Sequence, residues 1–108
     1  MIIKVPKKYK KNHRQRIFVR KLLETQMLNS QDLCGISVGD FVRVIRTAQS
    51  YERGWACSWA KEMTKAYKKQ YVGKVIDIDQ EDSEGIAVDF EELNHYSYSF
   101  PYWTLKRI

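Results

Sequence analysis

Gly39-Asp40-Phe41-Val42-Arg43-Val44-Ile45-Arg46 reads as a tight turn leading into the first strand of a small β domain. Gly-Asp is a turn pair, and the residues after it are mostly β-branched or aromatic. Both phases of the strand carry apolar side chains: Val42 and Val44 on one, Phe41 and Ile45 on the other. That pattern predicts one face in a barrel interior and the other under a helix. Arg43 and Arg46 fall on opposite phases, so one surface uses both only if the strand ends near Arg46.

Working outward toward the C-terminus, further strands follow at short intervals. Val72-Gly73-Lys74-Val75-Ile76-Asp77-Ile78 is a strand in which Gly73 marks a bulge or a close backbone approach. Residues 79–85 form an acidic turn. Ile86-Ala87-Val88-Asp89-Phe90 alternates, with Ile86, Val88 and Phe90 inward. Tyr96-Ser97-Tyr98-Ser99-Phe100 alternates again and stops at Pro101, which has no N–H for a ladder. Residues 102–108 make a last turn or short strand anchored by Leu105. Short strands joined by tight loops in one small domain point to a barrel or sandwich.

Between the first two strands lies an aromatic insertion. Trp55, Trp59, Met63, Tyr67 and Tyr71 recur every four residues. Each such step drifts about 40° around a helix, so Trp55 and Tyr71 cannot share one face. A shorter helix over residues 58–69 follows, capped by Ser58, with Trp59, Met63 and Tyr67 as its seam. Lys61, Lys65, Lys68 and Lys69 line its exposed side.

Toward the N-terminus, residues 13–28 read as an amphipathic helix. Val19, Leu22, Leu23 and Met27 recur at three- and four-residue steps, and Asn29-Ser30 ends the run. Residues 1–12 are a basic flexible arm, and residues 13–108 form one domain, with the barrel over 38–108. The overall expectation is a mainly β fold, a small barrel with an N-terminal helix and a short helical insertion.

Charge is divided along the chain. The formal net charge is +6, yet residues 1–21 hold nine basic residues and no acid. The remainder holds ten basic and thirteen acidic residues, and residues 77–92 contain eight acids with no Lys or Arg. One basic and one acidic pole can orient the chain on a partner or on a second copy. No apolar run is long enough to span a bilayer, and the N-terminus has no secretory pattern. Cys34 and Cys57 lack a CxxC arrangement and read as free thiols in a reducing, cytoplasmic setting.

Catalytic patterns are missing. His13 and His95 have no Cys or His at metal-ligand spacing. The acidic run 77–82 lacks the glycine and terminal glutamate of a calcium loop. No glycine-rich phosphate loop occurs. The expectation is a non-enzyme without cofactor or metal.

One resemblance ties the strands together. Val38-Gly39-Asp40-Phe41-Val42-Arg43-Val44-Ile45-Arg46, Gly54-Trp55, Val72-Gly73-Lys74-Val75, Val88-Asp89-Phe90 and Phe100-Pro101 with Leu105 resemble the mind bomb type repeat. That module is similar to a Src-homology-type small β-barrel, occurs in tandem in some ubiquitin ligases, and has single-copy versions in small phage and large-virus proteins. The chain departs from it in its longer insertion and single copy. The resemblance implies the fold and a peptide-binding tendency, and no catalytic residue.

Two partners are expected from this reading. A protein would be gripped by the aromatic residues Tyr51, Trp55, Trp59, Tyr96, Tyr98 and Trp103, which bury large area at small entropic cost. In the viral setting that partner is a host or viral protein. Alternatively, nucleic acid would follow Lys7, Lys8, Lys10, Lys11, Arg14, Arg16, Arg20 and Lys21, with Lys61, Lys65, Lys68 and Lys69 extending the track. No membrane partner is expected.

Overall fold

The computed structural model describes residues 13–108, with side chains from Phe18 onward. The arm, with Lys7, Lys8, Lys10 and Lys11, lies outside the described residues, as do the side chains of Arg14 and Arg16.

Helix α1 spans His13–Asp32 and precedes strand β1 at Phe41–Val44. A 3-10 turn at Glu52–Gly54 and helix α2 at Lys61–Lys69 follow. Strands β2 (Gly73–Ile78), β3 (Ile86–Asp89), β4 (Ser97–Phe100) and β5 (Leu105–Arg107) complete the chain, with 3-10 turns at Glu91–Leu93 and Tyr102–Thr104. All neighbouring strands are antiparallel, in the order β4-β3-β2-β1-β5. The architecture is therefore mixed: two helices on a five-stranded sheet that is not closed into a barrel. The expected closure fails between β4 and β5. Pro101 and the turn after it carry the chain away from β4, and Ile45 N–H takes Thr104 O at 2.7 Å, which delivers β5 to β1 instead.

One face of this sheet holds the core. Val42, Val44, Val75, Ile86, Val88, Phe90 and Phe100 are fully buried, together with Trp55, Met63 and Ala66 from the connection between β1 and β2. Trp55, Trp59, Phe90 and Phe100 form a chain of edge-to-face rings with centroids 5.6–6.2 Å apart. The inward alternation of Ile86, Val88 and Phe90 holds as read from the sequence. Gly73 is a close approach rather than a bulge. A Cβ there would strike Val88 Cγ1 and lie 2.8 Å from Phe90 Cε1. The bulge falls later, between Val75 and Asp77.

Both helices differ from expectation at their ends. Helix α1 runs past Asn29-Ser30 to Asp32 because the next turn is anchored: buried Gln31 donates its Nε2 to Asp79 O at 2.7 Å. Helix α2 begins at Lys61, not at Ser58. Trp59 N–H is held by Ser50 Oγ at 2.9 Å, which keeps that residue extended, and Ala60 N–H finds Met63 Sδ at 3.2 Å. The seam of α2 is Met63 and Ala66, with Trp59 and Tyr67 half-buried beside it.

The second apolar phase of β1 is not under a helix. Helix α1 is held on the other side of the sheet, against the Glu52–Gly54 turn and the Asp79 end of β2. Gly54 makes this possible: its φ is +85°, and a Cβ would collide with the backbone carbonyl of Leu23. Val19 and Met27 are buried on α1, whereas Phe18 and Leu22 stay exposed. Phe41 and Ile45 are consequently uncovered.

Candidate interaction surface

The outer face of β5-β1-β2 is built by the residues alternate to the core. Phe41 pairs with Lys74 across to β2, and Ile108 N–H bonds Phe41 O on the β5 side. One row therefore reads Ile108, Phe41, Lys74. The next row contains Arg43 directly opposite Lys106. Ile45 follows directly after β1, next to the end of α2, where Gln70 Nε2 donates to Val44 O at 3.1 Å. At the opposite end, Gly39 N–H bonds Val75 O at 2.8 Å, which sets the exposed Ile76 of β2 diagonal to Phe41. Exposure is 55% for Phe41, 48% for Ile45, 47% for Ile76 and 64% for Ile108. Scattered single apolar residues on a surface need no explanation, but a contiguous set on one sheet face does.

The charges on this face are unbalanced. The side chains of Arg43 and Lys106 form no hydrogen bond or ion pair among the described residues. Lys74 has a counter-charge in Asp89 across to β3, whose Oδ2 also contacts His95 Nδ1 at 3.2 Å, so the imbalance lies with Arg43 and Lys106. Other cations of the sheet are occupied: Arg46 bonds Glu52 at 3.2 Å, and Arg107 lies 4.0 Å from Asp40.

The aromatic residues singled out from the sequence do not share one surface. Trp55 is 1% exposed and its Nε1 donates to Glu84 O at 2.6 Å, so it holds the core and offers nothing to a partner. Trp59 is half-buried against Phe100, with Nε1 on Thr64 Oγ1 at 2.8 Å. Trp103 lies on the α1 side. Arg53 stacks on it at 5.4 Å, and a cleft of about 160 Å³ separates Tyr102 and Trp103 from Leu23, Met27 and Ser30. Tyr51 is exposed in the loop before the Glu52–Gly54 turn. Tyr96 and Tyr98 do come together on edge strand β4 and the residue before it, with ring centroids 6.3 Å apart. Tyr96 is 70% exposed, and Tyr98 is half-buried. Partial burial, the Glu62 carboxylate and Tyr96 push the Tyr98 phenol above its ordinary value, so it remains a neutral donor.

Among the proposed nucleic-acid contacts, Lys61, Lys65, Lys68 and Lys69 are all exposed on α2, and Lys21 is exposed on α1. Arg20 is tied to Glu24 at 3.1 Å. At the acidic pole, the turn after β2 is organised by Asp79. Burial alone would raise its carboxyl, but amide donors from Asp82, Glu81 and Glu84 outweigh that and hold it below the ordinary value. Among the described residues, no three His, Cys, Asp or Glu side chains converge to hold a metal ion. Cys34 and Cys57 are unpaired, and among the described residues no helix is long and apolar enough to cross a membrane.

Sequence reasoning missed Phe41, Arg43, Ile45, Lys74, Ile76, Lys106 and Ile108 as a set. The alternation of β1 was visible. What covered its second phase depended on where α1 docks. Compared with known proteins, the chain matches no family model, no curated protein and no solved structure at a significant level.

Proposed function

We propose that this chain is a non-enzymatic protein-interaction module, a Src-homology-like fold whose sheet stays open, as its resemblance to the mind bomb type repeat implies. The setting is the cytoplasm, that of a host cell for a phage or viral accessory protein, in keeping with two unpaired thiols.

The observation that carries the reading is the uncovered apolar face of β5-β1-β2. A sheet face exposing Phe41, Ile45, Ile76 and Ile108 together is costly in water unless a partner covers it. Tyr51, Tyr96 and Tyr98 remain available as further contacts.

The test is affinity capture with wild type beside Phe41→Asp, followed by purification of each wild-type-specific protein and measurement of its direct binding. The expected result is at least one purified protein with a Kd in the micromolar range or better that Phe41→Asp weakens at least tenfold. Direct partners that ignore Phe41 would remove this face from the function.

Nucleic-acid binding is the second reading, favoured by Lys61, Lys65, Lys68 and Lys69, which form no ion pair among the described residues. There, neutralising the four lysines to glutamine flattens the salt dependence of oligonucleotide binding.

A further inference from the structure

We infer that the occupant of the outer face is an extended acidic protein segment, with one carboxylate flanked by apolar side chains at two-residue spacing. This rests on the protein-interaction reading above. The first argument is the juxtaposition of Arg43 and Lys106. Like charges directly opposite on adjacent strands are destabilising, and here no acid of the described residues relieves them. A carboxylate set between the two would be drawn by both.

The second argument is spacing. Same-face residues of a strand recur about every 7 Å. Along β1 and the residue after it the outer face reads apolar at Phe41, cationic at Arg43 and apolar at Ile45, with Ile76 diagonal to Phe41. An extended ligand has the same repeat. Its side chains meet these rows in step when they read apolar, acidic, apolar at every second position, with one more apolar residue at the Ile76 end.

The third argument selects protein over nucleic acid. Bases stack on aromatic rings, and Phe41 is the one aromatic residue of this face among the described residues. Its other apolar members are aliphatic, which suits the apolar centre of a protein interface with Arg beside it. A second copy of the chain does not supply the ligand through its acidic turn, because Asp79-Gln80-Glu81-Asp82-Ser83-Glu84 contains no apolar residue.

The experiment is selection of random 12-residue displayed peptides on the full chain. The enriched peptides are then measured on wild type, Phe41→Asp, the double variant Arg43→Glu/Lys106→Glu and its neutral counterpart Arg43→Gln/Lys106→Gln. Single-stranded (dT)12 is the competitor. Thermal unfolding verifies that each variant is folded. The expected peptides carry Asp or Glu with apolar residues two positions to either side. They lose binding at least tenfold on the charge-reversed variant, less on the neutral one, and wholly on Phe41→Asp. Enriched peptides that need Phe41 but are neutral or basic, or are indifferent to Arg43 and Lys106, overturn this inference and leave the interaction module standing. If no enriched peptide depends on Phe41, or if (dT)12 binds in a Phe41-dependent way in place of peptides, the inference and the module reading both fall.

Discussion

The inner and outer faces of β5-β1-β2 are made by alternate residues of the same three strands, yet they meet different surroundings. Inward, Val42, Val44, Val75 and Leu105 lie under Trp55, Met63 and Ala66. Outward, Phe41, Ile45, Ile76 and Ile108 meet solvent beside Arg43 and Lys106. Hydrophobicity of the residues does not distinguish the two faces. The difference is which face received α1 and the connection through α2. In this sheet an apolar residue is a core residue only if another element of the chain arrives to cover it.

The largest test of that contrast compares two aromatic truncations. Trp55→Ala opens a cavity at the centre of the ring chain and leaves Glu84 O without its donor. It is expected to cost about 4 kcal/mol in urea unfolding. Phe41→Ala is expected to cost less than about 1 kcal/mol, while partner binding falls at least tenfold. Comparable losses for the two would mean that the outer face is packed within the chain, and the contrast would collapse.

A smaller effect concerns what keeps α1 on the inner side. Gln31 is fastened to the carbonyl of Asp79, and the Asp79 carboxylate organises the turn through three amides. Because the folded-state pKa of Asp79 is depressed, its contribution is present above the unfolded value near 3.8 and is lost as pH falls through the folded one. Asp79→Asn should therefore destabilise by about 1 kcal/mol at pH 7. The gap from wild type should close on acidification, as pH falls through the folded-state value. A gap of the same size at both ends of the range would assign the effect to side-chain shape rather than charge.

The smallest expected effect has the opposite sign. Removing one member of the like-charge pair by Arg43→Gln should stabilise the chain by about 0.3 kcal/mol at low salt, and the gain should disappear in high salt. The same variant should weaken peptide binding. A loss of stability instead would show that Arg43 supports the sheet and would dissolve its assignment to a partner.

Much of the fold was legible in the residues. The strands at 86–90 and 96–100 announced themselves by alternation, Pro101 ended the latter, and Leu105 anchored the last strand beside β1. The lysines of α2 fell on its exposed side as their spacing required. Helix ends were harder to place, because Gln31 and Trp59 are set by partners 48 and 9 positions away. Of the aromatic set, Trp55 went to the core, where its burial depends on the approach of β4 and the turn at Glu84.

Local pattern by itself determined where strands and helices form, which phase of each strand is apolar, and where basic and acidic residues concentrate. These follow from backbone sterics and side-chain period, which act within a few residues. Only the tertiary structure decided that the sheet stays open, that α1 covers one face through the close approach of Gly54 to Leu23, and that Phe41, Arg43, Ile45 and Lys106 are left outside. Those outcomes depend on contacts between residues far apart in the chain, and two apolar phases of one strand compete for a single cover.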